Sequence, residues 1–244
     1  MHIIKLNAID STNSYLRELS TSGDPEDYTV VVAREQTRGR GQMGTLWTSE
    51  PGKNLTCSVY KKIDCVRKEE IFFLSMAVSL AVLQTLKRFG IPQLKIKWPN
   101  DILSAHHKIC GVLIESVIKG DRLNAAIVGI GLNVNQTGFG GLSSAGSLKS
   151  ITGVHYNLDE LLNRIISELK HYEGMIVGRE FELLKKEYEQ NLFRKDKPST
   201  FSDNASGSVF MGFIKGISET GKLLIELEDR MMRECDLKEV KLMY

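Results

Sequence analysis

A glycine-rich segment in the first quarter of the chain constrains the fold more than any other feature. Residues 39–44 read GRGQMG and follow an apolar, β-branched run at residues 29–33, TVVVA, which predicts a strand. Glycine lets backbone N–H groups turn towards an anion without steric cost, and arginines at positions 38 and 40 add donors that match carboxylate or phosphate oxygens. The sequence therefore predicts a strand that ends in an oxyanion-binding loop.

The same six residues match the dinucleotide-binding pattern G-x-G-x-x-G, but the residues after them do not fit it. That pattern needs a helix starting at its third glycine, whereas residues 45–52 read TLWTSEPG, which is rich in turn-forming residues. A protein-kinase interpretation fails because no HRD or DFG segment follows, and a Walker A Gly-Lys-Ser/Thr is absent. A surface loop with incidental arginines remains the alternative for this segment alone.

Composition limits the partners that these arginines can recognise. The 244 residues include 32 Lys and Arg against 30 Asp and Glu, so the formal net charge of +2 predicts no general attraction to nucleic acid or membranes. Four scattered cysteines and five histidines show neither disulfide nor zinc spacing. No signal-peptide pattern opens the sequence, and the apolar stretch at residues 71–83 is too short for a membrane span. We therefore expect a reduced, cytoplasmic protein.

The order of predicted elements indicates two domains. Residues 10–13, DSTN, are suited to cap a helix. Strand patterns lie at residues 2–6, 29–34, 54–60, 95–98, 102–104, 109–118 and 123–130, and helical patterns at 69–89, 158–172 and 180–191. After a break at residues 195–198, KDKP, only strands and turns are expected, with strands at 208–213, at 222–227 and near 232. We predict an α+β domain, a mixed sheet with packed helices, over residues 1–190, and a small β-barrel over residues 195–244.

A second polar cluster lies between two predicted strands, at residues 97–101, KWPND. The proline favours a bend here because it has no N–H group for a regular ladder. The bend would bring Lys97, Asn100 and Asp101 to one strand end. A cation, an amide and a carboxylate in that place could hold phosphates and Mg²⁺. Solvated turn charges are an equal alternative for this segment on its own.

Three glycines inside predicted strands mark places where a ligand or another backbone approaches closely. Gly111 follows Lys108 in one strand, whereas Gly129 and Gly131 lie in the next strand and precede Asn133. Simple close packing explains these glycines equally well. For Trp47, downstream of the glycine-rich segment, the sequence leaves open a core position or a platform for a purine ring.

Taken together and in this order, the motifs resemble those of biotin protein ligases. The resemblance covers essentially the whole chain, and it rests on DSTN at 10–13, QTRGRGQMGTLW at 36–47, KWPND at 97–101, KICG at 108–111 and GIGLN at 129–133. Residues 212–224 resemble the small SH3-like domain of that family. Each motif alone is weak, but five in one order are specific.

This resemblance implies the family's class II synthetase-like catalytic fold and a two-step acyl transfer. The biotin carboxylate attacks the α-phosphate of ATP and gives biotinyl-5′-AMP and pyrophosphate. A lysine of a biotin carboxyl carrier protein then attacks the mixed anhydride and releases AMP. Both steps develop negative charge that fixed cations and N–H donors stabilise, and neither needs a covalent enzyme nucleophile.

The resemblance also implies roles for individual residues. The residues expected to bind biotin are Ser11, Thr12, Gln36, Gly39, Arg40, Lys108, Gly111, Gly129 and Gly131. The residues expected to bind ATP are Arg40, Trp47, Lys97, Asn100, Lys108 and Asn133. Catalysis is expected of Arg40, Lys97, Asp101 and Lys108. Asp101 is also the expected Mg²⁺ ligand.

Two departures from the family pattern carry their own expectations. Gln42 and Thr45 stand where the family usually has arginines, and a glutamine brings no charge, so we expect biotinyl-AMP to leak faster. The sequence starts directly in a predicted strand, without the helix-turn-helix domain that some relatives use to repress transcription. The expectation is therefore a ligase that does not bind DNA.

Three other functions compete with this interpretation. A lipoate–protein ligase or octanoyltransferase shares the superfamily fold and the acyl-transfer logic. A nucleic-acid-binding protein would use Arg34, Arg38 and Arg40 as a basic patch, although the near-neutral charge and the few neighbouring aromatics disfavour it. A sensor would bind biotin or an adenylate without turnover. Relatives often pair through sheet edges, so a homodimer is possible.

Overall fold

Two β-sheets organise the chain in the computed structural model, which describes residues 2–63, 66–119 and 122–243. The strands of the larger sheet are β1 (His2–Ile9), β2 (Thr29–Gln36), β3 (Leu55–Lys62), β4 (Leu94–Lys97), β5 (Asp101–Ser104), β6 (His107–Lys119) and β7 (Arg122–Leu132). The strands of the smaller sheet are β8 (Pro198–Asp203), β9 (Val209–Ile217), β10 (Leu223–Leu227), β11 (Met232–Cys235) and β12 (Val240–Met243).

The helices lie in the first four fifths of the chain. They are α1 (Thr12–Ser22), α2 (Ile71–Arg88), α3 (Leu148–Thr152), α4 (Leu158–Val177) and α5 (Phe181–Gln190), with single 3-10 turns at Gln42–Gly44 and Lys68–Glu70. Asn157 caps α4 by accepting hydrogen bonds from the backbone N–H groups of Asp159 and Glu160. The helical patterns predicted near residues 158 and 180 are confirmed.

The larger sheet has the strand order β1-β2-β3-β7-β6-β5-β4. β1 and β2 are parallel, because α1 returns the chain along the sheet between them. The other neighbouring pairs are antiparallel. This arrangement confirms the predicted mixed sheet with packed helices.

The two faces of the larger sheet pack against different helices. Val128 and Ile130 of β7 belong to the main core with α2 and α4, whereas Ile127 packs with Leu16 of α1. Since side chains alternate between faces along a strand, Gly129 continues the α1 face. That face therefore changes, within two residues, from apolar packing to bare backbone, and the candidate site lies there.

Helix α2 forms the centre of the main core. Twelve of its 18 residues are buried, which confirms the prediction of a deeply buried helix. The apolar stretch at residues 71–83 was expected to be too short to span a membrane. This expectation is wrong, because the helix continues to Arg88 and is long and apolar enough for a span by length and composition alone. Its side chains pack against α4, α5 and the sheet, as expected of a core helix.

The sequence predicts turns at both ends of β6, at His106–His107 and at residues 119–121. His106 lies in the turn before this strand, but His107 already belongs to the strand. The turn predicted at residues 119–121 includes Gly120 and Asp121, which lie outside the described residues.

Hydrogen bonds connect β4 to the segment between α5 and β8, and the turn after β4 to the smaller sheet. The Ile96 N–H donates to the Asn191 carbonyl at 2.8 Å, and the Phe193 N–H donates to the Ile96 carbonyl at 2.8 Å. Trp98 Nε1 donates to the Gly221 carbonyl at 2.9 Å. The Trp98 bond fixes the turn between β4 and β5 against the smaller sheet, and the Ile96 bonds hold the chain that leads into that sheet beside β4.

Candidate active site

The floor of the site is a patch of bare backbone at the ends of β6 and β7. Gly111 pairs with Gly131 in the ladder, and Gly129 lies on the same face two residues earlier. A Cβ atom at Gly129 would overlap the Asn13 side chain, and one at Gly131 would overlap the Trp47 indole. This glycine floor permits close approach of other groups and also lines a cavity of about 240 Å³, the central cavity.

Polar side chains at the beginning of α1 form one wall of the central cavity. The Thr12 N–H and hydroxyl donate to Gln36 Oε1 at 2.8 and 3.0 Å. The Ser58 hydroxyl lies 2.6 Å from Thr12 Oγ1 and 2.5 Å from Asn13 Oδ1. Ser11 lines the cavity beside them. Mutual hydrogen bonds therefore hold hydroxyl and amide groups in place for a polar, uncharged ligand group.

The glycine-rich loop folds as a short hairpin above this floor. We call residues 39–47 the loop hairpin. The Gly41 N–H donates to the Thr45 carbonyl at 2.7 Å, and the Trp47 N–H donates to the Gly39 carbonyl at 3.0 Å. A Cβ atom at Gly39 or Gly41 would overlap the opposite arm, so both positions need glycine. No helix follows between the hairpin and β3, which agrees with the exclusion of a dinucleotide-binding fold.

Trp47, the last residue of the loop hairpin, packs against the glycine floor. Its ring lies in contact distance of the Gly131 backbone, and its Cζ3 atom would be 3.2 Å from a Cβ at Gly111. Lys108 Nζ lies 5.7 Å from the centroid of the indole. Trp47 is half-buried and exposes ring surface to two cavities, which fits a stacking platform better than a core residue.

Arg40 points towards a carboxylate on β6. Its Nη2 atom lies 3.0 Å from Glu115 Oε2, and the same oxygen accepts a hydrogen bond from Asn13 Nδ2 at 2.7 Å. Arg17 of α1 contacts the other Glu115 oxygen at 3.4 Å. Glu115 therefore links the loop hairpin to the polar wall and holds the Arg40 guanidinium at the mouth of the cavity.

Lys108 and Asp101 form the second ion pair of the site. Lys108 Nζ lies 2.7 Å from Asp101 Oδ1, and the Asp101 carboxylate is the less exposed partner, at 18%. Lys108 projects from β6 three residues before Gly111, so its ammonium group stands beside the floor. The pair places a cation within reach of any anion that enters the central cavity.

The KWPND segment bends as predicted. β4 ends at Lys97 and β5 begins at Asp101, with a cis Trp98–Pro99 peptide between them. Asn100 is fixed to β6, because its Nδ2 donates to the Val112 carbonyl and its own carbonyl accepts from the Val112 N–H at 3.0 Å. The bend thus brings the carboxylate of Asp101 to the edge of the central cavity.

Two further cavities adjoin the central one. An outer cavity of about 610 Å³ shares Leu46, Trp47 and Lys108 with it. An interdomain cavity of about 380 Å³, between the KWPND turn and the smaller sheet, shares Gln42, Asp101 and Lys238 with it. We call these three neighbouring cavities together the cavity path, and Arg40 and Lys108 both line its central part.

Most of the residues that the sequence nominated meet in this path. The residues that line the central cavity are Ser11, Thr12, Gln36, Arg40, Trp47, Asn100, Asp101, Lys108, Gly111, Gly129 and Gly131. Asn133 lines the outer cavity, where its Nδ2 donates to the Gly146 carbonyl at 2.9 Å. Lys97 lines the interdomain cavity. Gly39 lines none of the three and serves the hairpin backbone instead.

A buried thiol also borders the central cavity. Burial raises the pKa of Cys57 to about 12, so this cysteine is a neutral thiol at physiological pH. A thiolate is the nucleophilic form of cysteine. Cys57 therefore provides no covalent nucleophile to the site.

Sequence comparison decides the family. A profile described as the Biotin/lipoate A/B protein ligase family matches residues 6–133, which is more than half of the chain. The chain belongs to this family. All of the motifs from the polar wall to Asn133 fall within the matched region.

Relatives of this ligase-family chain include proteins named as ligases, some of them for biotin. The bifunctional ligase/repressor BirA of Bacillus spizizenii is 38% identical over 135 residues, which are 55% of this chain and 41% of BirA. The biotin–[acetyl-CoA-carboxylase] ligase of Paracoccus denitrificans is 26% identical over 223 residues, 88% of this chain and 90% of that protein. The chain therefore spans about two fifths of the BirA length but nearly all of the Paracoccus protein.

A solved structure matches the whole fold. The biotin protein ligase from Aquifex aeolicus, in complex with biotin and ATP, superimposes with a TM-score of 0.83 at 27% identity, covering 99% of this chain and 98% of that one. The match confirms the predicted catalytic fold and the resemblance to biotin protein ligases.

Sequence reasoning gave no role to several residues of the ligase-family site, among them Asn13, Glu115, Ser58 and Lys238. Glu115 lies in an apolar strand, where a single acid suggests a solvated side chain, and only the register of β6 reveals that it faces Arg40. Ser58 gave no signal, because one serine in a strand is common. Lys238 is 195 positions away from Met43, whose carbonyl it contacts.

Proposed function

We propose that the protein is an ATP-dependent biotin protein ligase, which forms biotinyl-5′-AMP and transfers biotin to a lysine of a biotin carboxyl carrier protein. The observation that carries this proposal is the meeting of the glycine floor and polar wall with two cations, Arg40 and Lys108, in one cavity. The names of the relatives and the biotin and ATP in the Aquifex complex support it.

In the proposed complex, the ring system of biotin lies on the glycine floor beside Thr12 and Asn13. The urea group of biotin has both donors and acceptors, which the hydrogen-bonded hydroxyls and amides of the polar wall complement. Because the floor glycines carry no side chains, Asn13 and Trp47 pack close to the sheet and leave room for the rings beside them. The carboxylate end of biotin then points towards Arg40 and Lys108.

Both cations exchange partners when substrates bind. Arg40 leaves Glu115 for the biotin carboxylate and afterwards for the α-phosphate, whereas Lys108 leaves Asp101 for the oxygens of the forming anhydride. Donors fixed where negative charge develops lower the barrier, because they need little reorganisation during the reaction. Trp47 and the outer cavity receive the adenine, since an indole offers a stacking surface.

Mg²⁺ fits this site as a companion of the ATP phosphates. Among the described residues, no group of three or more His, Cys, Asp or Glu side chains could hold a metal. Mg²⁺ is usually bound by one or two carboxylates together with substrate phosphates, and Asp101 is the carboxylate that the central cavity provides. The ion supplies neutralisation of phosphate charge when bound.

Transfer to the acceptor needs only an incoming amine. The lysine amine attacks the carbonyl carbon of biotinyl-5′-AMP, the acyl–phosphate bond breaks, AMP leaves, and the amine loses a proton. Arg40 and Lys108 stabilise the charge that returns to the phosphate. The neutral thiol of Cys57 takes no part. An acceptor from acetyl-CoA carboxylase is proposed from the name of the Paracoccus relative.

The main rival is a lipoate–protein ligase, because the matching family includes both activities. Exchange of labelled pyrophosphate into ATP, with biotin, lipoate or octanoate added separately to the purified protein and Mg²⁺, distinguishes them. We expect exchange with biotin alone. Exchange with lipoate would move the protein to the lipoate branch, and silence with all three acids would rule out the adenylation step.

A further inference from the structure

The three cations that line the central cavity differ in whether a carboxylate already pairs with them. Arg40 is paired with Glu115 at 3.0 Å, and Lys108 is paired with Asp101 at 2.7 Å. Lys238 also lines the central cavity, but within the described residues no carboxylate pairs with it. Its Nζ atom donates to the Met43 carbonyl of the loop hairpin at 3.0 Å. The positive charge of Lys238 is therefore available to an anion without breaking an ion pair.

Lys238 belongs to the smaller sheet and is held in place by its surroundings. It lies in the turn between β11 and β12 with φ at 62°, in the left-handed region. The Asn204 N–H donates to the Glu239 carbonyl at 2.9 Å, and Asn204 Nδ2 donates to the Lys238 carbonyl. Arg233 contacts Asp203 at 2.6 Å and Glu239 at 2.8 Å. This network fixes the turn, so the ammonium group extends from a rigid base.

The position of Lys238 lies where two cavities meet. Gln42, Asp101 and Lys238 line both the central and the interdomain cavity. When the α-phosphate of ATP lies between Arg40 and Lys108, the β- and γ-phosphates extend into one of the two neighbouring cavities. With adenine in the outer cavity beyond Trp47, the interdomain side is the remaining direction. Gln42, on the loop side of this junction, brings no charge.

We propose that Lys238 binds the β- and γ-phosphates of ATP, and the pyrophosphate product, at the junction of the central and interdomain cavities. This assignment rests on the proposed function. It makes the smaller domain part of the nucleotide site, and it explains why a lysine reaches across to a backbone carbonyl of the loop hairpin. Phosphate binding replaces that single neutral contact by charge-assisted hydrogen bonds.

Direct binding of inorganic pyrophosphate, measured by calorimetry with and without Mg²⁺, tests the assignment without turnover. Lys238→Met removes the charge but keeps the chain length, and Lys238→Arg keeps the charge. Lys222→Met is the matched control, because Lys222 lies in the same domain and outside both cavities. We expect Lys238→Met to weaken pyrophosphate binding about tenfold, the effect of losing one charge-assisted contact. Lys238→Arg should bind far better than Lys238→Met, and Lys222→Met should match the wild type.

Steady-state exchange kinetics separate a phosphate contact from a structural role. Lys238→Met should raise KM for ATP with little change in KM for biotin, and its melting temperature should stay close to that of Lys222→Met. Adding Gln42→Arg to Lys238→Met should recover ATP affinity, because position 42 faces the same junction.

Two results would overturn the assignment. One is wild-type pyrophosphate affinity in a folded Lys238→Met protein. The other is a Lys238→Arg protein as weak as Lys238→Met, since a charge contact should tolerate that change. Failure of the proposed function is recognised separately, because the wild type itself would then show no biotin-dependent exchange.

Discussion

The glycine floor and the loop hairpin face each other across the central cavity, but different forces hold them. The floor is the backbone of central strands, with ladder partners on both sides of β7. The loop hairpin is more exposed, with Met43 and Leu46 at 64% and 77%, and the Arg40–Glu115 ion pair, the Lys238 hydrogen bond and the packing of Trp47 connect it to the rest. The rigid glycine floor therefore faces an exposed loop hairpin that carries the charge of Arg40.

The difference teaches how the proposed chemistry is divided. Shape recognition of biotin needs a surface that does not yield, and a paired strand provides it. Charge stabilisation is assigned to groups whose present contacts can be exchanged for substrate oxygens on binding, namely Arg40 on the loop hairpin, Lys108 on β6 and Lys238 between β11 and β12. The following variants test this division, from the largest expected effect to the smallest.

Lys108→Ala should nearly abolish adenylate synthesis while leaving the floor intact. We expect the rate of biotin-dependent pyrophosphate exchange to fall by about 100-fold to 1,000-fold, the effect of removing one fixed donor at a developing oxyanion. Lys186→Ala on the exposed side of α5 is the control. Near-normal exchange by folded Lys108→Ala would remove Lys108 from the mechanism.

Gly131→Ala tests the floor itself. The added Cβ would overlap the Trp47 indole, so the ring must move. We expect the kcat/KM for exchange to fall about tenfold to 100-fold, because overpacking a well-packed contact typically disturbs it by about 1–3 kcal/mol. Gly174→Ala in α4 is a matched control, since its Cβ would meet no heavy atom within 4 Å. Equal activity of the two alanine variants would argue against a tightly fitted floor.

Gln42→Arg should make the loop hairpin retain biotinyl-5′-AMP more firmly. A guanidinium at this position faces the central cavity and adds a cation to the loop hairpin. We expect biotinyl-5′-AMP to dissociate about threefold to tenfold more slowly, the range of a partly exposed charged contact. Stopped-flow release of the adenylate measures this, with Gln190→Arg at the end of α5 as control. An unchanged off-rate would refute the expected leakage through a weakly charged loop.

Acid should loosen the turn that carries Lys238 before it affects the floor. The Arg233 guanidinium holds the pKa of Asp203 and Glu239 below their ordinary values of 3.8 and 4.5. Stability from these carboxylates is fully present above those values and is lost as pH falls below them, because the unfolded chain then binds protons more readily. The melting temperature of the wild type should therefore drop more steeply below about pH 4.5 than that of Asp203→Asn. Parallel curves would contradict this account.

The sequence predicted regular elements well where periodicity was strong. The helix predicted at residues 69–89 occupies Ile71–Arg88, and the strand predicted at 123–130 lies within Arg122–Leu132. β8 and β12 were missed, because PSTFSD begins with proline and polar residues and VKLM is very short. The short helix α3 was missed for the same reason of length.

Much of the site followed from motifs, but its contacts did not. The Gly-Arg-Gly run predicted an anion-binding loop, yet its hairpin form depends on Gly39 and Gly41 approaching the opposite arm. The pairing of Arg40 with Glu115 depends on which face of β6 each residue occupies. The approach of Lys238 depends on the docking of two sheets, and no local pattern contains that information.

Transfer of biotin to a carrier domain tests the central claim most directly. The purified protein is incubated with Mg²⁺, ATP and a biotin carboxyl carrier domain, with biotin or lipoate as the acid, and the carrier is analysed by intact-mass and peptide mass spectrometry. The account predicts one biotinyl group on one carrier lysine, formed only with biotin and ATP and not by the Lys108→Ala protein. An unmodified carrier with biotin, or a lipoyl adduct in its place, would contradict it.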